Sequence, residues 1–408
     1  MSLILAWRRY PIFDSLHSRH FRWFWLGMLA SSATMQMGRV AQGWLIYELT
    51  GSAFALGWVS AGWSISNSIL SLYGGVISDR LEKRRLLIWT RGCMVFGSLV
   101  IALVIATGAV QVWHLAAYSL FRGILFAVMM PAQNAYLAEL VDRKTLLNAV
   151  SLSSVGMGLA GIFAAPLAGL LVEVVGVEAV YFGMALLYAL VFLTLFKLPL
   201  TGHSDPGTHS VRSDLREGVG YLRRSSVLIS LLGIVFVRGL LAMPYRTFMP
   251  MYAQDVMGLD ATGFGILTAA PGVGSLISSL TLASLRDFRS KGKFLLGAGI
   301  IMGLALVLFS NVRSFALVLV LLAVVGAASN VCMVTNRTLL QVNCEARYLG
   351  RVMSAYMMMF GLTQLGTMPA GAVADRLGVS WVITLQGGLL ALIFALVWLF
   401  QPKTRRLE

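Results

Sequence analysis

Apolar runs of eighteen or more residues recur along this chain, and they restrict what it can fold into more than any other feature. As a helix rising 1.5 Å per residue, such a run crosses roughly 30 Å of hydrocarbon. Charged residues make up 12% of the chain and hydrophobic ones 58%, whereas a soluble domain carries about 25% charged residues. That balance excludes a soluble fold. The net charge of +15 does not mark a nucleic-acid binder, because the cations fall in short bursts between apolar runs. That is the pattern of membrane topology.

The runs and their breaks predict spans at 22–48, 53–78, 86–107, 111–138, 146–173 and 178–198. A second set is predicted at 226–253, 261–285, 294–312, 314–340, 350–374 and 379–400. The fold class expected is an all-α membrane protein of twelve helices in two six-helix bundles. Residues 1–198 and 226–408 form the bundles, and the polar stretch 199–225 links them. With the N-terminus inside, the outer loops hold only Arg313 and Arg376 among the 32 Lys and Arg residues, and four arginines lie well inside spans, away from their ends. Both termini and the linker are therefore expected in the cytoplasm. The N-terminal "LILAW" is too short for the core of a cleaved signal. Cys93, Cys332 and Cys344 are too few and too scattered for a disulfide framework or a metal site.

The two sets resemble each other. "NAYLAELVDRKTLLNAV" (134–150) aligns with "NRTLLQVNCEARYLGRV" (336–352) at an offset of 202, which also pairs Gly169 with Gly371 and Glu173 with Asp375. Around Asp79 and Asp287 the offset is 208. Internal symmetry of this kind suggests a carrier that rocks one half against the other around a central site.

"GGVISDRLEKRRLL" (74–87) places six charges between Asp79 and Arg85. It resembles the loop motif of the major facilitator superfamily, Gly-x-x-x-Asp-Arg-x-Gly-Arg-Lys, through Gly75, Asp79, Arg80, Lys83 and Arg84. Glu82 stands where the motif has Gly, and the second-set copy keeps Asp287. Gly75 allows close helix approach, and Asp79 at the membrane border can accept hydrogen bonds from the opposite half as a conformational latch. The alternative is that these charges only fix topology. In span 5, "GLAGIFAAPLAGLL" carries Gly161, Ala165, Pro166 and Gly169, similar to the Gly-x-x-x-Gly-Pro-x-x-Gly signature of family exporters. The Gly-x-Gly-x-x-Gly at 156–161 lies inside an apolar run with no strand before it, so it reads as packing. "FRWFWLGMLASSATMQMGRVAQGWLIYELTGSAFALGWV" and "PAQNAYLAELVDRKTLLNAVSL" are similar to the branch that contains enterobactin exporters and macrolide efflux proteins. The resemblance implies a monomeric carrier of the inner membrane that exchanges protons for a small molecule, with no cofactor.

Arg39, Arg122, Arg238 and Arg246 lie inside predicted spans. Arg122 and Arg238 lie within about 5 Å of mid-membrane, where an Arg costs at least ~2.5–3.5 kcal/mol and so should face a cavity or a partner. No Asp, Glu or His accompanies them at that depth. Helical spacing adds Gln36 beside Arg39, Tyr118, Phe126 and Met129 beside Arg122, and Tyr245 beside Arg238. Asn330 and Met333 share a face of span 10. Together these residues suggest a site for a bulky, partly aromatic anion. The competing reading has the arginines bonded to backbone carbonyls or snorkelling. Glu48 and Glu139 are the candidate proton-coupling acids. Export of siderophore- or drug-like amphipathic molecules is the main expectation; import of a small organic anion and a membrane sensor stand beside it. The chain has no Gly-x-Ser-x-Gly, no His-Glu-x-x-His and no Walker loop, so neither an enzyme nor a direct ATP drive is expected.

Overall fold

The computed structural model describes residues 15–142, 145–200, 220–222, 225–284, 290–345, 348–362 and 366–407. Most of the expected linker and Asp287 lie outside the described residues, and Gly75, Asp79 and Arg80 are described as backbone alone. Every regular element among the described residues is helical, as a chain in hydrocarbon requires when each backbone polar group must be satisfied internally. The first set comprises α1 (Arg19–Thr50), α2 (Ala53–Arg80), α3 (Lys83–Ala106), α4 (Val112–Leu140), α5 (Leu146–Val174) and α6 (Val177–Leu195). The second comprises α7 (Ser226–Ala242), α8 (Ala261–Ser284), α9 (Lys291–Asn311), α10 (Phe315–Val342), α11a (Leu349–Leu362), α11b (Thr367–Leu377) and α12 (Val379–Phe400). Nine helices among the described residues are long and apolar enough to cross a membrane. The predicted seventh span is not one straight helix. Pro244 and Pro250 lack a backbone donor, and after Ala242 the chain continues in short helical turns and a π-turn at Tyr252–Val256.

Local sequence sets the helix ends. Ser18, Ser52 and Ser225 cap α1, α2 and α7, each accepting from a backbone N–H three residues on. The charged knot at 79–85 has a similar use. Glu82 is the N-cap of α3 and accepts from the N–H groups of Arg84 and Arg85 at 3.0 and 2.8 Å. Its carboxylate thus meets the positive end of the helix, a task the Gly of the family motif could not perform. Lys83 is 1% exposed and pairs with Glu139 of α4 at 2.5 Å. Arg84 donates to the carbonyls of Leu195 and Phe196, closing the end of α6. Lys83 and Arg84 tie the start of α3 to α4 and α6 of the same set.

The face where α1 begins and the helical tail Pro402–Arg405 packs on α9 is here called the terminal face; the other is the far face. The two sets meet along seams that run from mid-height to the far face. On one seam α5 lies against α8 so closely that a Cβ on Gly169 would stand 2.2 Å from the Ala261 carbonyl oxygen. One on Gly265 would stand 2.6 Å from that of Ala165. Only glycine permits this approach. The export-like residues of α5 therefore sit at this seam, apart from Gly161, which faces Gln36 of α1. On the other seam α2 lies against α11b.

Breaking the Lys83–Glu139 pair should be costly from the buried side. We expect Lys83→Ala to lower stability in detergent by about 1–3 kcal/mol, the half-exposed partner softening the loss. In a double-mutant cycle with Glu139→Ala, the second loss should be smaller in the Lys83→Ala background, and strict additivity would mean that the pair is not coupled.

A candidate substrate site between the helix sets

The arginines fall into two layers. Arg122 of α4 is 8% exposed and Arg238 of α7 is 2% exposed. Neither meets a carboxylate in its described contacts. The Arg122 guanidinium lies 5.6 Å from the Tyr118 ring and also interacts with the hydroxyl of Tyr188. Gly38 of α1 leaves room for it: a Cβ there would stand 2.8 Å from the Arg122 Nη1. Tyr118 is held in turn by a 2.8 Å bond between its hydroxyl and Ser98 and by an edge contact with Tyr181. Arg238 donates to the Ser329 hydroxyl at 3.0 Å and has Cys332 and Tyr356 as electrostatic neighbours. In the described contacts, a hydroxyl and aromatic faces hold Arg122, and the Ser329 hydroxyl accepts from Arg238.

Arg39 of α1 and Arg246, in the turn after α7, form the second layer and are both exposed. Each is nonetheless surrounded at depth by protein. Arg39 lies in the field of Arg246 and of Arg122. Arg246 reaches back to the Tyr245 hydroxyl at 3.3 Å, and its guanidinium is 5.9 Å from that ring. A solvent-reachable space therefore receives one guanidinium from each set. Like charges brought together in a low-dielectric space repel, and an anion between them relieves both desolvation and repulsion.

The remaining expected residues divide. Gln36 lies beside Arg39 and against Gly161, and its Oε1 is buried without a hydrogen-bond partner among the described residues. Phe126 is half-buried and packs on Trp63, and Met333 is 41% exposed. Met129 lies in a hydrophobic cluster with Phe24 and Tyr136, away from the arginines. Asn330 donates to Ser275, Ser278 and Ser279 of α8, which makes it a helix-packing contact. Tyr245 is buried beneath Arg246. Glu48 is exposed near the far end of α1, and Glu139 is occupied by Lys83 near the terminal face. Arg91, near the start of the predicted span 86–107, is 3% exposed, bonded to Gln133 at 3.0 Å and 5.9 Å from the Tyr188 ring. Tyr181 and Tyr188 of α6 lie on a predicted span whose only charges, Glu178 and Lys197, sit at its ends, so nothing in the sequence draws attention to their face.

Comparison with known proteins places this geometry in context. A family model described as a transmembrane secretion effector matches residues 12–408. The staphyloferrin A transporter of Staphylococcus aureus is 24% identical over 359 residues, covering 86% of this chain and 88% of that protein. Macrolide efflux protein A of Streptococcus pyogenes is 23% identical over 397 residues, with 95% and 97% covered. The enterobactin exporter EntS of Shigella boydii is 27% identical over 334 residues, with 80% and 76% covered. Among solved structures, a variant of the nucleoside transporter NupG superposes with a TM-score of 0.79 at 12% identity, covering 92% of this chain and 99% of that one. A bacterial homologue of the lysosomal transporter Spinster, inward-facing and unoccupied, does so with a TM-score of 0.76 at 14% identity, with 95% and 98% covered. The fold is therefore that of a twelve-helix transporter built from two six-helix bundles.

The two-layer arrangement can be read chemically. With Cys93, Cys332 and Cys344 replaced by Ser, single cysteines at 39 and 246 should react with a charged methanethiosulfonate reagent about tenfold faster than cysteines at 122 and 238. Equal rates at all four positions would contradict the layering.

Proposed function

The chain belongs to the transmembrane secretion effector family of the major facilitator superfamily, and from that premise we propose that it exports amphipathic organic anions by alternating access. Its family is one of transporters and not of enzymes. The observation that carries the reading is the pair of exposed guanidinium groups, Arg39 and Arg246, one from each bundle, with Arg122 behind them. An anion with an apolar or aromatic body would set its charge between the arginines and its body against Tyr118, Phe126 and Met333. Relatives named for staphyloferrin A, enterobactin and macrolides favour siderophore- or drug-like cargo.

Charge also bears on direction. The excess of Lys and Arg on the terminal face is the basis for assigning that face, both termini and the 199–225 linker to the cytoplasm, with the two bundles at 1–198 and 226–408. An inside-negative potential then favours the outward movement of an anion by about 2.3 kcal/mol per charge per 100 mV. Proton exchange across the cytoplasmic membrane, implied by the family resemblance, would add to this drive. Its acids would have to act at a distance, since Glu48 and Glu139 both stand apart from the arginines. The latch assigned to Gly75, Asp79 and Arg80 belongs to this cycle, whereas Lys83 and Arg84 anchor the same loop within its own bundle. A monomer suffices for the mechanism.

Uptake into inverted membrane vesicles tests the proposal, with a catecholate siderophore, a macrolide and a cationic dye as cargo. Arg39→Gln and Arg246→Gln should each raise the KM for the anionic cargo about tenfold or more, the loss expected for a charged hydrogen bond, and leave cationic cargo unaffected. Unchanged KM values for every transported anion would remove these arginines from the site. A companion experiment concerns the driving force. Collapsing the pH gradient with nigericin should slow export, and an identical rate without the gradient would rule out proton exchange.

A further inference from the structure

The seam between α2 and α11b repeats the seam between α5 and α8. A Cβ on Gly371 would stand 2.6 Å from the Ala53 carbonyl oxygen, and one on Gly57 would stand 2.9 Å from that of Thr367. Shifting Gly169 and Ala165 by 202 gives Gly371 and Thr367, and shifting Ala53 and Gly57 by 208 gives Ala261 and Gly265. The four close approaches are thus two contacts, each made twice by the internal repeat.

The repeats part company over charge. The first turn of α8 has its own anion: Asp260 accepts from the Gly263 N–H at 2.7 Å. At the equivalent position before α2 stands Ser52, which is neutral and satisfies the Ala55 N–H. The N–H groups of Ala53 and Phe54 are satisfied from the other bundle. Asp375, near the end of α11b, accepts from them at 2.5 and 3.1 Å and from the Ser52 hydroxyl at 2.7 Å. A second carboxylate of that bundle, Asp255, accepts from the Tyr47 hydroxyl on the same face. One seam is therefore capped locally and can part without losing its anion, whereas the other loses its anion when the bundles separate.

We propose that Asp375 is the far-face latch of the transport cycle, a positioning residue that holds α2 against α11b in the state seen here and releases it when the far face opens. The sequence around it supports the assignment. Gly-x-x-x-Asp-Arg-Leu occurs at 371–377 and again at 75–81. The two copies end α11b and α2, which run antiparallel, so they lie at opposite faces. The 75–81 copy is the one read from sequence as a latch, and the 371–377 copy is its partner for the opposite state. The energetics suit a switch. On opening, Ala53 and Phe54 exchange the carboxylate for water, so the bond biases the equilibrium without locking it.

The inference rests on alternating access, and its test needs no cargo. In nanodiscs, with native cysteines replaced, a cysteine in place of Ala261 reports opening of the far face from the other seam, where that residue is 3% exposed. A cysteine at Arg39 reports the space between the bundles, since that residue is exposed and lies in the field of Arg246 of the other bundle. Asp375→Ala should raise the labelling rate at 261 about tenfold, and Asp375→Asn less, the range expected for loss of a charged helix cap. Labelling at 39 should fall in the same variants. Loss of thermal stability with no reciprocal shift would make Asp375 an ordinary cap and overturn the latch. Gly265→Val, which wedges the α5–α8 seam directly, separates the two failures. If it produces the reciprocal shift and Asp375→Ala does not, the carrier reading stands and the latch falls. If neither does, alternating access itself fails.

Discussion

Backbone-to-backbone contact between glycine and carbonyl oxygen is the constraint on which the rest of the structure depends. Two bundles that meet through such contacts from mid-height to the far face approach closely along that half of their length. Hydrocarbon offers little hydrophobic drive for helices to associate, so close packing and the hydrogen bonds it permits must hold the seams. Closure at the far face leaves Arg39 and Arg246 exposed in a space between α1 and the turn after α7. The seams and the site are thus two consequences of one packing choice.

Charge follows from that choice. A guanidinium group tolerates such a depth when something satisfies it. Arg122 interacts with tyrosine hydroxyls and rings, and Arg238 donates to a serine hydroxyl. Arg39 and Arg246 are exposed, and Arg246 also donates to the Tyr245 hydroxyl. The net result is a positive space without a described acid among its arginines, and the proposed anionic cargo would bring the negative charge to it. Carboxylates are used elsewhere: Glu82 and Glu139 fasten the charged loop near the terminal face, and Asp255 and Asp375 join the bundles at the far face.

Much of this was legible in the sequence. Apolar run lengths located the helices, because in a bilayer length and hydropathy decide which segments cross. The four intramembrane arginines stood out for the same reason. Their layering did not, since a helical face records angle and not which neighbour fills it: Asn330 shares the face of Met333, yet three serines of α8 claim it. Arg91 lay too near a span end to be read as buried, and Gln133 could be matched to it only across two helices. Asp375 was visible as a member of the repeat but not as a cap, because its partner is the main chain of Ala53 and Phe54, which no side-chain pattern announces. The break after Ala242 was marked by Pro244, but apolar content ran on through it.

Distances between spin labels across the two faces test the central claim most directly. Thr107 and Arg313 are exposed at the far face on opposite bundles, and Arg85 and Val342 are exposed likewise at the terminal face. Pulsed dipolar measurements in nanodiscs should give two populations for each pair. The far-face distance should be short when the terminal-face distance is long, and adding an anionic cargo should shift the balance. A single unchanging distance at both faces, with and without cargo, would contradict the account.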